Sequence, residues 1–115
     1  FAAAPRGSIL VGERMIDSAR ILQEVTAGTA VLLDVRTKEE LQSEGRAHGA
    51  VHFDLGRLMQ GEVPSYPKST KLYLYCKGGS RAAMAKGLLE AQGFSDVAVI
   101  GGLADWEAAG GEVAR

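Results

Sequence analysis

Cysteine is nearly missing from this 115-residue chain: Cys76 is the only one. A single thiol excludes a disulfide within the chain and any zinc site built from several cysteines. Excess charge of either sign is missing too. Thirteen basic and fourteen acidic residues leave a formal net charge of −1, with the two signs interspersed and no basic block. Binding to nucleic acid or to a membrane surface therefore has no electrostatic support. No apolar run approaches the length of a membrane span. The two interior prolines, Pro64 and Pro67, fall in one stretch, Gly61 to Ser69, which reads as a loop. Apolar and charged fractions of 46% and 23% are those of an ordinary globular chain. The length suits one domain with one core. A lone reduced thiol exists in many compartments; the cytoplasm is the first expectation, with a periplasmic or organellar home left open.

Residues 1–12 read as a flexible N-terminal extension, an expression tag or the tail of a processed precursor, and residues 13–115 as the domain. Short apolar runs then alternate with helical stretches, the pattern of an α/β fold around a mainly parallel sheet. Glu13 to Ile16 reads as a short strand. Asp17 or Ser18 caps a helix with Ile21, Leu22 and Val25 on one face, ended by Gly28. Ala30 to Val35 is a continuous apolar strand of the kind buried on both faces. Thr37 and Glu40 stand in capping-box spacing, opening a helix that stops at Gly45. A short strand over Ala50 to Phe53 and a short helix over Asp54 to Gln60 follow. Lys71 to Cys76 is the next strand, and Ala82 to Gln92 a helix with Met84, Ala85, Leu88 and Leu89 on one face. Val97 to Ile100 and Leu103 to Ala109 close the pattern as strand and helix.

Cys76 gains its meaning from this frame. It ends a strand and is followed by Lys77-Gly78-Gly79-Ser80-Arg81, a glycine-rich turn that opens a helix. There backbone N–H groups converge and the helix dipole is positive, a setting that favours the reactive thiolate. Gly78 and Gly79 suit left-handed backbone angles that aim N–H groups inward. Lys77 fits an anionic donor, Ser80 fits a helix cap, and Arg81 fits the site better than a distant surface pair. Asp34 and Arg36 end the neighbouring strand on the same sheet edge, where α/β proteins place their sites. They are supporting candidates, read first as a structural ion pair or loop tether. His48 and His52 read as ordinary loop histidines, so no metal site is expected. Trp106, Tyr73 and Tyr75 read as packing residues.

The segment Cys76-Lys77-Gly78-Gly79-Ser80-Arg81 resembles the active-site loop of the rhodanese homology domain, single-domain sulfurtransferase type. Leu33-Asp34-Val35-Arg36 with Glu39-Glu40-Leu41 is similar to that family's "DVR…E" segment. Gly45 to Ala50 resembles its "GHIPGA" segment, with Arg46 standing where the family's histidine does. Gly101-Gly102-Leu103-Ala104-Asp105-Trp106 resembles its closing "GG…W" element. The likeness runs from Glu13 to Gly111.

The resemblance implies a three-layer α/β/α fold with a five-stranded, mainly parallel sheet. It also implies sulfur transfer through a Cys76 persulfide, from a donor such as thiosulfate or another persulfide, without metal or organic cofactor. The acceptor implied is cyanide in an assay, or a thioredoxin-like or glutathione-like thiol. Dual-specificity phosphatases share the fold, but their loops carry one residue more than the four that separate Cys76 from Arg81. The alternative function is a non-catalytic or redox-sensing partner-binding module. The cysteine argues against the first, and the missing resolving cysteine against the second.

Overall fold

The computed structural model describes residues 8–11 and 14–115. A hairpin of β1 (Ile9–Val11) and β2 (Arg14–Ile16) leads into α1 (Ser18–Thr26) and the strand β3 (Ala30–Asp34). Next come α2 (Lys38–Glu44), β4 (Arg46–Ala47), β5 (Val51–His52) and α3 (Leu55–Met59). The second half holds β6 (Lys71–Cys76), α4 (Ser80–Ala91), β7 (Val97–Gly102), α5 (Leu103–Ala108) and β8 (Val113–Ala114).

The central sheet has the order β5-β3-β6-β7, and its strands are parallel. Parallel neighbours need crossovers, and the helices supply them, covering both faces. The alternation of side chains along β6 makes the layering plain. Leu72, Leu74 and Cys76 join a cluster with Leu55 and Leu58 of α3 and Ala82, Ala85 and Leu89 of α4. Tyr73 and Tyr75 face the other way, into a cluster with Ile21 of α1 and Leu103 and Trp106 of α5. The result is an α/β/α sandwich whose core lies in two slabs, one on each side of the sheet. Ser18 ties the helices of one layer together by donating its hydroxyl to the Trp106 carbonyl at 2.8 Å.

Several expectations need correction. Among the described residues the main sheet carries four strands, not five; the remaining strands form two antiparallel pairs, β1–β2 and β4–β8. Ile9–Val11 is a strand paired with Arg14–Ile16, so ordered structure begins inside the stretch expected as a flexible extension. Residues 1–7 and 12–13, the rest of that extension and the start of the expected domain, lie outside the described residues. Helix α1 is capped by Asp17, which accepts from the Arg20 amide, and its C-cap Ala27 is followed by Gly28 at φ 79°, the left-handed glycine that ends the helix as expected. Met84 is exposed; of the expected face Ala85 and Leu89 are buried, joined by Ala82, and Leu88 packs partly buried against the same cluster. The capping box of α2 stands as read, with Thr37 accepting from the Glu40 amide and the Glu40 carboxylate accepting from the Thr37 amide.

Candidate active site

The parallel register puts the ends of β3, β6 and β7 on one edge of the sheet, with Asp34 opposite Tyr75 and Cys76 opposite Gly102. From Cys76 the chain turns back on itself within three residues. Gly79 makes this possible at φ 105°, an angle that favours glycine. Its N–H then donates to the Cys76 Sγ at 2.9 Å. Gly79 is also the N-cap of α4, without a side-chain cap; Ser80 is the first helical residue, not the cap expected of it. Gly78 does not share the left-handed conformation, and a Cβ there would meet open space. Of the amides expected to converge, Gly79's is the one hydrogen-bonded to the sulfur among the described residues.

Gly102 braces the loop from behind. A Cβ at that position would overlap the Lys77 carbonyl, so only glycine lets β7 approach the loop this closely. The Gly102 amide is held by the Asp105 carboxylate at 2.7 Å, which fixes the backing strand to the first turn of α5. Cys76 itself is 1% exposed, whereas Lys77, Gly78 and Ser80 are exposed. The sulfur therefore lies just beneath a solvent-facing loop. Its far side belongs to the apolar cluster with Leu74 and Ala85.

Arg81 leaves the first turn of α4 and meets Glu40 on α2 in a two-toothed ion pair, at 2.6 and 2.8 Å. The Arg81 hydrogen bond holds the Glu40 carboxyl down at about 2, against the pull of partial burial. Arg81 is held above its ordinary value by Glu40 first, and the fields of Cys76 and Asp34 add to this. Both of its terminal nitrogens are engaged by Glu40. Lys77, at the exposed shoulder of the loop, pairs with Glu44 at 3.2 Å. Glu44 in turn stands 3.9 Å from Arg36. Arg36, Glu44 and Lys77 line a cleft of about 420 Å³ together with Leu103, Ala104, Glu107 and Arg115.

Asp34 and Arg36 form a buried tether. Arg36 is 1% exposed; its Nε and Nη2 donate to Asp34, and Nη2 also donates to the Gly45 carbonyl at 2.7 Å. Tyr75 donates its hydroxyl to Asp34 and accepts from the Ala47 amide at 2.9 Å. The His52 Nε2 donates to the Arg36 carbonyl at 2.6 Å. Burial works against the Arg36 charge, but the Asp34 hydrogen bond and charge outweigh it and hold the guanidinium protonated. Burial, reinforced by Asp34, pushes the Tyr75 phenol well above its ordinary value. Every polar atom here that must be buried has a partner, the arrangement that makes such a network affordable. Its product is positional: it locks the ends of β3 and β6 and the Gly45–Ala47 turn beside the loop. Arg46 is exposed on β4.

Sequence reasoning missed three contributors. Glu40 read as a cap and as part of the family-like segment but not as a partner of Arg81, Tyr75 only as packing, and Glu44 only as the end of a helix. The spacing of Thr37 and Glu40 explains the cap, but nothing local announces a partner 41 residues away.

The model of the rhodanese-like domain matches residues 17–109. YtwF of Bacillus subtilis (strain 168), provisionally named a sulfurtransferase, is 31% identical over 93 residues, which are 80% of this chain and 88% of YtwF. Among solved structures, the rhodanese-like domain of the Anabaena protein Alr3790 superposes with a TM-score of 0.67 at 32% identity, covering 75% of this chain and 99% of that one. The human single-domain sulfurtransferase TSTD1 superposes equally well, TM-score 0.67, with 80% of this chain and 93% of that one covered. At 21% identity, that likeness speaks to fold.

Proposed function

Since the chain belongs to the rhodanese-like domain family, we propose that it is a sulfurtransferase in which Cys76 carries the sulfur. In the first half-reaction the Cys76 thiolate attacks the outer sulfur of a sulfane donor. The new S–S bond takes up that sulfur, and the donor's own bond to it breaks with its electron pair. Thiosulfate would leave as sulfite, and an organic persulfide as its thiolate. In the second half-reaction an acceptor thiolate, or cyanide in an assay, attacks the terminal sulfur and releases the Cys76 thiolate. One transfer is split into two displacements of low demand, as in other covalent catalysis. Electrons balance without any metal or organic cofactor.

The observation that carries this reading is the Gly79 N–H on the Cys76 Sγ at 2.9 Å. A preset amide favours negative charge on whichever sulfur is next to it, in the resting thiolate and in the departing one. A phosphatase reading fits less well, because a phosphate clamp needs a free guanidinium and both Arg81 terminal nitrogens are on Glu40. The test is intact mass spectrometry after incubation with thiosulfate or glutathione persulfide. A species one sulfur atom heavier, located on Cys76 and removed by cyanide, is expected. If neither donor leaves such a species, the assignment fails.

A further inference from the structure

The cations around the Cys76 loop each sit beside a carboxylate: Lys77 by Glu44, Arg81 by Glu40 and Arg36 by Asp34. Lys38 and Arg46 do not. Among the described residues neither takes part in an ion pair, yet both line one cleft of about 520 Å³. No residue of the Cys76–Arg81 loop lines that cleft. Lys38 and Leu41 are three apart on α2 and so share a side of the helix. Arg46 stands on β4 opposite Ala114 of β8, and that pairing brings Arg115 to the same cleft. His52, half-buried at the end of β5, completes it and is held by its Nε2 on the Arg36 carbonyl at 2.6 Å. Every charged side chain lining this cleft is basic, in a chain whose formal net charge is −1. Like charges gathered without a counter-charge repel, and an anion between them removes that cost.

We propose that the cleft between α2 and the β4–β8 pair binds the phosphate groups of a small phosphorylated molecule. Two guanidinium groups offer planar donor forks that match phosphate oxygens, and Lys38 adds an ammonium beside them. The third cation is free to take part. Arg115 has Glu107 as its ion-pair partner at 3.5 Å, with side chains 61% and 44% exposed, and a pair so exposed is weak and easily exchanged. A multiply charged anion can therefore draw Arg115 over without stranding a buried charge. The volume falls in the range of small-molecule sites, and Leu41 and Ala114 offer apolar surface to an organic part. The positive charge is confined to this cleft, which suits a small molecule and not the extended backbone of a nucleic acid. The proposal stands apart from the sulfur-transfer reading, because no residue assigned to that chemistry lines the cleft.

The test is titration of the full chain with adenosine diphosphate, pyrophosphate and citrate at low salt, followed by calorimetry and by backbone amide shifts in two-dimensional NMR. Both phosphate probes are expected to bind saturably, with dissociation constants at or below about 1 mM, and to shift amides at residues 38–42, 46, 52 and 114–115. Citrate, a multiply charged anion without phosphate geometry, should bind more weakly. Arg46→Gln and Lys38→Gln should each weaken binding of adenosine diphosphate about three- to tenfold. Lys86→Gln, on α4 and outside the cleft, should leave it unchanged. Citrate that binds as tightly as pyrophosphate overturns the phosphate assignment, and pyrophosphate that binds about tenfold tighter than adenosine diphosphate overturns the organic ligand in favour of a bare polyphosphate. Shifts centred on residues 76–81, unchanged affinity in both cleft variants, or no saturation by either phosphate probe overturns the site itself. Each of these results leaves sulfur transfer at Cys76 untouched.

Discussion

Arg81 and Glu40 hold each other by two parallel hydrogen bonds, at 2.6 and 2.8 Å, and so join the first turn of α4 to the first turn of α2. Glu40 also completes the capping box with Thr37. One carboxylate thus fixes the start of the helix that follows β3 and the start of the helix that follows Cys76. The loop between Cys76 and Arg81 is pinned at both ends, by a strand in the sheet and by an ion pair to the neighbouring helix.

That pair makes stability depend on pH. The Glu40 carboxyl is depressed from 4.5 to about 2, so its stabilising contribution is complete above 4.5 and is lost as pH falls toward 2. Both side chains are partly exposed, at 34% and 21%, which limits the contribution to about 1 kcal/mol. Urea denaturation of wild type and Glu40→Gln should differ by that amount near pH 6 and converge between pH 4.5 and pH 2. A constant difference across that window would remove the ion pair as its cause.

Tyr75→Phe deletes a hydroxyl that satisfies Asp34 and the Ala47 amide at once. Both partners stay buried, so the loss should be about 1–3 kcal/mol of stability. Sulfur loading per folded molecule should persist, because the hydroxyl makes no contact with the loop. Loading that collapses while the variant remains folded would give Tyr75 a part in the chemistry.

Two glycines in the site should behave in opposite ways. Gly102→Ala drives a methyl into the Lys77 carbonyl, whereas Gly78→Ala points a methyl into open space. A displaced loop misplaces the Gly79 amide, and a shift of about 1 Å can cost on the order of a hundredfold in rate. Persulfidation rates should fall steeply in Gly102→Ala and little in Gly78→Ala, with thermal denaturation confirming that both variants fold. Equal rates in the two would mean that the close packing of β7 on the loop is irrelevant to the sulfur.

The parts of this molecule legible in the sequence are those whose cause is local. Ala30–Asp34 and Lys71–Cys76 announce themselves as buried strands by unbroken apolar runs, and Thr37 with Glu40 announces a helix start by spacing alone. Cys76 stands out because a thiol at a strand end before two glycines has few other uses. What escaped depends on distance along the chain. The pairing of Arg46–Ala47 with Val113–Ala114 joins segments too short to show alternation. Met84 looked like core because α4 carries small and apolar residues on several faces, and only the packed partner decides which face is buried. Ser80 looked like a cap by residue type, but the turn at Gly79 had already set the helix boundary one residue earlier. The Arg81–Glu40 and Lys77–Glu44 pairs join opposite charges far apart in sequence, and a chain with balanced charge offers many such combinations.

The most direct measurement is the mass of the intact protein after exposure to glutathione persulfide, beside Cys76→Ser treated identically. The account predicts one added sulfur in the wild type, discharged by cyanide with release of thiocyanate, and none in Cys76→Ser. An unmodified wild-type mass, or an adduct that persists in Cys76→Ser, would contradict it.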